Sequence, residues 1–161
     1  MTNLETWELL SYVVTVVGLP LAIIVFVFEQ RRERENEEEE VYQLLSDNYQ
    51  DFLKVALDYP DLKLFSAEQT PDLTDEQKER MMIIFSMLVS LFERAYLLLY
   101  DAKLKPKELR RWRSWEDYMR EWCRRKDFGD FLPTLLVGED DDFVAYIKSL
   151  SDEAARAEHR G

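Results

Sequence analysis

The sequence contains few of the residues from which many active sites are built. One cysteine, Cys123, and one histidine, His159, stand among 161 residues. A single cysteine excludes an intramolecular disulfide and fits a reducing compartment, and a lone histidine in the C-terminal tail argues against a histidine-based metal or acid–base site. Since the sequence also lacks a glycine-rich phosphate loop and a nucleophile with an identifiable base, we predict no enzymatic activity, cofactor or metal.

Glycine and proline are also scarce, with four and five residues respectively. Few turns imply few and long elements, and the residue mix favours helices. The net charge of −12 argues against general nucleic-acid binding, which needs an excess of lysine and arginine. We therefore predict an all-α protein with no nucleic-acid partner, of a length that allows one compact domain and an appendage.

Charge is absent from residues Leu9 to Phe28. At about 1.5 Å per residue, a helix of this length spans the roughly 30 Å hydrocarbon core of a bilayer. No basic residue precedes the run, whereas Arg31, Arg32 and Arg34 follow it, and basic residues stay on the cytoplasmic side. We predict an N-terminal transmembrane helix within residues 1–28, with the N-terminus outside. A cleaved signal peptide is the alternative, but its basic start is missing.

Small side chains recur along one face of the predicted span at steps of four, three and four residues. They are Ser11, Thr15, Gly18 and Ala22. Small residues let helix backbones approach closely, so we expect this face to mediate self-association, with a chance occurrence as the alternative. A further hypothesis is a cation-conducting pore that several copies line with this face.

Residues 29–40 form a charged helical linker with ten charged side chains. The charges begin where the apolar run ends because a charged group deep in the membrane costs about 2.5 to 3.5 kcal/mol. We interpret the acidic run within it as a solvated spacer, with a cation site or a site for a basic partner as the alternative. The acidic run comprises Glu37, Glu38, Glu39 and Glu40. Nothing in the linker breaks a helix, so we predict one helix from the membrane into the next apolar run.

Residues 41–157 are predicted to form a cytosolic bundle of about four helices, followed by a tail at 158–161. Apolar residues alternate at steps of four and three from Leu45 to Tyr59, where Pro60 ends the first helix. A capping box, Thr74 to Gln77, opens a helix that extends to about Asp101.

The apolar run from Met81 to Tyr100 lies in this second helix and allows a second membrane span. Glu93 and Arg94 interrupt the run, which favours the central helix of a soluble bundle. A buried Glu93 would suit a catalytic acid, but since we find no second acid at a telling spacing, we expect it to be paired structurally.

Pro106 suits the first turn of a third helix that combines a tryptophan face with a basic stripe. The tryptophans are Trp112, Trp115 and Trp122. We expect them to pack in the core, with partner binding as the alternative. The arginines of the stripe are Arg110, Arg111, Arg113, Arg120, Arg124 and Arg125. We expect acidic residues of the same chain or a neighbouring subunit to face this stripe, with anionic lipid headgroups as the second choice.

A short apolar element interrupted by Pro133 follows Gly129, and four acids occupy Glu139 to Asp142. The alternating ligands and turn glycine of a calcium-binding EF-hand are missing. We therefore interpret the acids as the cap and first turn of a last helix, which runs from about Asp141 to Ala157.

Four stretches carry a resemblance to a protein family: ETWELLSYVVTVVGLP, EQRRERENEEEEVYQLL, SLFERAYLLLYD and SWEDYMREWCRR. In these stretches the chain resembles uncharacterised bacterial single-pass membrane proteins with an N-terminal span, a charged helical linker and a small cytosolic helical domain. The resemblance implies the inner (plasma) membrane of a bacterium. It brings no activity or site residues, although some similarly built proteins are linked with phage defence, which makes a phage-defence effector a hypothesis.

The predicted function is that of a membrane-anchored, self-associating scaffold, adaptor or sensor. Its expected partners are the lipid bilayer and further copies of the chain, with another protein as a further candidate. An ion-conducting pore and an enzyme that uses Glu93 are the alternatives from other classes.

Overall fold

The computed structural model describes residues 18–65 and 69–158. Within these residues it contains five α-helices, one 3-10 turn at Pro60–Leu62 and no strand, so the all-α prediction is confirmed. The helices are α1 (Leu19–Asp58), α2 (Asp75–Leu99), α3 (Pro106–Cys123), α4 (Lys126–Leu135) and α5 (Asp141–Glu158). The first half of the predicted span, including Ser11 and Thr15, and also His159 lie outside the described residues.

The chain divides after Tyr42 into two compact units. The described part of the first unit consists of the N-terminal half of α1. The second unit contains the C-terminal end of α1 together with α2 to α5.

Helix α1 is continuous over 40 residues, which confirms the single helix predicted to run through the charged linker. No proline or glycine follows Pro20 in this stretch until the helix ends. Asp58 is the last helical residue because Tyr59 precedes Pro60, and a residue before proline avoids helical angles. Leu45, Phe52 and Ala56 turn one face of the last turns into the core of the second unit.

Helix α2 is the central helix of the second unit. Its capping box is confirmed, since the Thr74 hydroxyl accepts a hydrogen bond from the Gln77 amide at 3.2 Å and the Gln77 side chain accepts one from the Thr74 amide at 2.9 Å. Eight of its residues are buried: Met81, Ile84, Phe85, Leu88, Val89, Leu91, Phe92 and Ala95. Among the described helices, α2 alone is long and apolar enough to cross a membrane, and 39% of that stretch is buried inside the protein.

Helix α3 places its three tryptophans in the core, where their exposed fractions are 3%, 2% and 3%. Trp122 meets Phe52, Phe65 and Phe85 edge-on, with ring centroids 5.6, 5.2 and 6.0 Å apart. Such edge-to-face pairs stabilise a core by about 0.5–1.5 kcal/mol each beyond burial. The tryptophan face therefore joins α3 to α1 and α2 inside one domain.

Helices α4 and α5 complete the bundle. Helix α4 begins at Lys126, before Gly129, whereas we expected the short apolar element to begin after Gly129. Pro133 is accommodated in its last turn. As predicted, an acidic residue caps α5: Asp140 Oδ1 accepts hydrogen bonds from the amides of Asp142 and Phe143, both at 3.0 Å.

Candidate functional site

The apolar segment Leu19–Phe28 is the N-terminal part of α1 in the described chain. Its large apolar side chains are all exposed to between 39% and 70%. They are Leu19, Leu21, Ile23, Ile24, Val25, Phe26, Val27 and Phe28. Successive helical residues point about 100° apart, so these side chains surround the helix on every side. A helix that is apolar all round is typical of a protein core or a membrane span.

The small-residue face predicted for self-association is only partly within the described chain. Gly18 is half-buried and immediately precedes α1, and Ala22 is exposed on α1. The two residues are four positions apart, a spacing that gives them one face in a regular helix. Its role in self-association stays a prediction.

The acidic run, Glu37 to Glu40, lies on α1 in the first unit. Glu37, Glu39 and Glu40 are exposed, and Glu38 is partly covered. Consecutive residues of a helix point in different directions, and within this run only Glu37 and Glu40 share a face. Four carboxylates that point in different directions do not converge on one cation within a single chain. This favours the interpretation of the acidic run as a solvated spacer over a cation site.

The six arginines of the basic stripe do not form one surface, and two of them pair with acidic side chains of the same chain. Arg120 is held between two acids, with Nη2 2.7 Å from Glu116 Oε1 and Nη1 2.5 Å from Glu153 Oε2. Arg125 is buried and ion-paired with Asp127. The spacing of four residues between Glu116 and Arg120 is a local signal for that pair. Glu153 and the carbonyl partners of Arg125 come from distant parts of the chain, so local patterns in the sequence did not indicate them. Arg110, Arg113 and Arg124 are exposed, and Arg111 is half-buried.

The buried pair of Arg125 and Asp127, which we call the clamp, is a fork-shaped salt bridge. Arg125 Nε and Nη2 lie 2.8 and 2.6 Å from the two carboxylate oxygens of Asp127. Arg125 Nη1 also donates to the carbonyls of Lys63 and Leu64, at 3.1 and 2.7 Å. Asp127 Oδ2 accepts from the Thr70 amide at 3.2 Å. The clamp thus ties the loop after α1 to the start of α4.

An open groove of about 390 Å³ lies next to the clamp. Asp72, Lys78 and Asp130 line it with Asp127. Asp127 is fully engaged by Arg125 and by the amides of Thr70 and Phe128. The clamp therefore has a structural role in holding the groove wall.

Glu93 and Glu139 form a carboxyl pair that joins α2 to the loop before α5. The hydrogen bond to Glu93, followed by burial and the charge of Glu93, raises the pKa of Glu139 to about 7. Glu93 Oε1 also accepts a hydrogen bond from the Asp140 amide at 2.5 Å. Our sequence reading found no second acid for Glu93, because Glu139 approaches it only in the folded chain.

The contact between Glu93 and Glu139 is partly shielded from water and is held by the backbone. Both side chains are half-buried, and the Asp140 amide fixes Glu93 in place. No group of three or more histidine, cysteine, aspartate or glutamate side chains suited to a metal ion occurs within residues 18–65 and 69–158. The pair is therefore a titratable link between α2 and α5.

No protein-family model, curated protein or solved structure matches this chain. The resemblance to bacterial single-pass membrane proteins stays a prediction.

Proposed function

We propose that this chain is a membrane-anchored helical scaffold, adaptor or sensor without enzymatic activity. The observation that carries the proposal is the apolar segment Leu19–Phe28, whose large side chains are exposed on all sides of α1. Lipid is the solvent that suits such a helix. The same helix continues without a break into the charged linker.

The energetics favour a bilayer boundary between Phe28 and Glu29. Full burial of a large apolar side chain contributes roughly 1.5–3 kcal/mol. Eight such side chains, each about half exposed on the helix, together favour lipid by roughly 6–12 kcal/mol. Each charged residue drawn into the bilayer centre costs about 2.5 to 3.5 kcal/mol. Since Glu29, Arg31 and Arg32 follow at once, these costs oppose movement of the linker toward the bilayer centre.

The basic residues after Phe28 support a cytosolic second unit, with the N-terminus outside. Cys123, a free and buried thiol, suits that reducing compartment. A bacterial inner membrane is the location we propose from the resemblance of the sequence.

Self-association through the small-residue face is the second part of the proposal. The four-residue spacing of Gly18 and Ala22 supports a shared helical face of small side chains, which allows a second helix to approach closely. The acidic run and the exposed linker then form the solvated stem between this contact and the helical domain.

The test is the molecular mass of the detergent-extracted protein. We expect Gly18→Leu with Ala22→Leu to reduce an oligomer to a monomer, because the larger side chains separate the helices. Val27→Leu adds bulk on the opposite face of α1 and is the matched control, which should keep the mass of the natural protein. An unchanged mass in the double variant would reject assembly through this face, while leaving the anchor itself to be judged by the partition of the protein into membranes.

A further inference from the structure

One end of the second unit combines exposed apolar and basic side chains. It consists of the last turn of α2, the connecting loop and the first two turns of α3, residues 97–113, which we call the basic corner. Leu97, Leu98 and Tyr100 are exposed to 56%, 50% and 41%. The basic corner contains six basic residues and two acidic ones in a protein whose net charge is −12.

Five of the six basic side chains of the corner lie exposed at the surface. Lys103, Lys105, Lys107, Arg110 and Arg113 are all exposed. The two acids of the corner are engaged locally: Glu108 Oε1 lies 3.2 Å from Lys105 Nζ, and Asp101 Oδ1 accepts a hydrogen bond from the Lys103 amide at 2.9 Å. Residues 97–113 therefore carry a net positive charge.

Exposed side chains, both apolar and polar, continue from the corner along the outer face of α2. Residues at steps of four and three form an exposed stripe: Ile83, Met87, Ser90, Arg94 and Leu97. Ile83 and Met87 are exposed to 54% and 44%. The buried face of α2 holds the core, so the stripe points away from the domain.

We infer that the basic corner is a second membrane contact, which docks on the anionic headgroups of the bilayer and inserts Leu97 and Leu98 at the headgroup boundary. This inference rests on the proposed anchor, since a tethered domain stays at high effective concentration near the bilayer. Apolar side chains flanked by lysine and arginine are the composition of interfacial membrane surfaces. The charge distribution favours an anionic bilayer as the partner of this corner. An anionic surface attracts the corner and repels the acidic remainder of the chain.

The test uses the full chain reconstituted into vesicles of neutral phosphatidylcholine, with or without about 30% phosphatidylglycerol, a fraction that gives an anionic surface potential. A fluorophore is attached at Leu98→Cys in a Cys123→Ala background. We expect quenching by nitroxide-labelled lipids in the anionic vesicles and quenching by aqueous iodide in the neutral ones. Because the attraction is electrostatic, about 1 M salt should abolish the lipid contact.

Two pairs of substitutions distinguish the effect of the charges at the corner from the effect of the total charge of the chain. Each basic side chain near an anionic surface strengthens contact about fivefold, so Arg110→Glu with Arg113→Glu should weaken lipid quenching at Leu98 at least about tenfold. The matched control is Arg124→Glu with Lys126→Glu, which makes the same charge change at exposed positions at the other end of α3. The control should keep lipid quenching within about twofold.

Three results overturn the inference. The first is equal iodide quenching at Leu98 on both lipid compositions, and the second is an equal loss in both pairs of variants. The third is protection of the Leu98 label from iodide that depends on the protein-to-lipid ratio rather than on lipid charge. That result would mean that the corner contacts a second copy of the chain. A label at Phe26→Cys keeps the two proposals distinguishable: exposure of Phe26 to iodide rejects the anchor, whereas exposure of Leu98 alone rejects the second contact.

Discussion

Substitution of Arg125 by methionine is expected to destabilise the helical domain strongly. Methionine keeps an unbranched side chain of similar reach and removes the guanidinium. The Asp127 carboxylate, 6% exposed, would keep the amides of Thr70 and Phe128 as donors but lose its counter-charge. The carbonyls of Lys63 and Leu64 would lose their donor as well.

Removal of one partner from a buried ion pair costs about 3–5 kcal/mol, because the other charge stays buried without compensation. For a domain of this size, such a loss lowers Tm by about 10–20 °C. Arg124→Met is the matched control, since Arg124 is the adjacent exposed arginine, and surface substitutions change stability by about 0.5 kcal/mol or less.

The assay is unfolding of the detergent-solubilised protein, followed by tryptophan emission, because Trp112, Trp115 and Trp122 are buried in the domain. The difference between the two variants should persist between about 0.1 and 1 M salt, since salt screens a buried pair poorly. Removing both charges with Arg125→Met and Asp127→Leu should cost less than Arg125→Met alone. Equal stability of Arg125→Met and Arg124→Met would refute the structural role of the clamp.

Three further predictions concern the carboxyl pair, the helix cap and the thiol. The folded state raises the pKa of Glu139 to about 7. The Glu139 carboxyl therefore makes its whole contribution to the free energy of unfolding at pH values below its ordinary pKa, and this contribution is lost as the pH rises through about 7. In urea unfolding, the free energy of unfolding of Glu139→Gln should therefore rise relative to that of the natural protein between pH 5 and pH 8. Parallel plots of the two free energies against pH would contradict this. Thr74→Ala should cost about 1 kcal/mol in the same assay through loss of the capping box, whereas the exposed Thr134→Ala should cost little. Burial raises the pKa of Cys123 to about 12, so maleimide should react with its thiol only after unfolding, and rapid reaction in the folded protein would show that the thiol is accessible.

Local sequence signals were sufficient to predict most of the helices. The Thr74 and Gln77 capping box, the proline after Tyr59 and the three- and four-residue apolar steps each depend on residues within one or two turns, and the structure has the helices that they indicate. The boundary of α4 was less accurate, because burial of Phe128 in the core extends the helix ahead of Gly129.

Contacts between distant parts of the chain could not be predicted in this way. Arg125 and Arg124 are neighbours in the same basic stripe, yet only Arg125 is buried, because its carbonyl partners come from the loop after α1. Glu93 meets Glu139 for a similar reason, since packing of the loop before α5 against α2 brings the two carboxyls together. Pairing of this kind depends on how the helices pack, and local sequence patterns do not predict this packing.

The apolar segment differs from these sites because its amino-acid composition alone is sufficient to recognise it, without knowledge of how the helices pack. Its large side chains are exposed, and the structure places the charged linker directly after it on the same helix. The predicted bilayer boundary at Phe28 and Glu29 thus depends on a local feature that can be examined residue by residue.

The most direct test of membrane anchoring is a spin-label scan of residues 19–36 in the reconstituted full chain, in a Cys123→Ala background. Oxygen partitions into lipid and a nickel chelate stays in water, so their relative access to each label gives its depth. We predict oxygen access for labels up to Phe28 and nickel access from Arg31 onward. Nickel access at Phe26 equal to that at Asn36 would contradict the account.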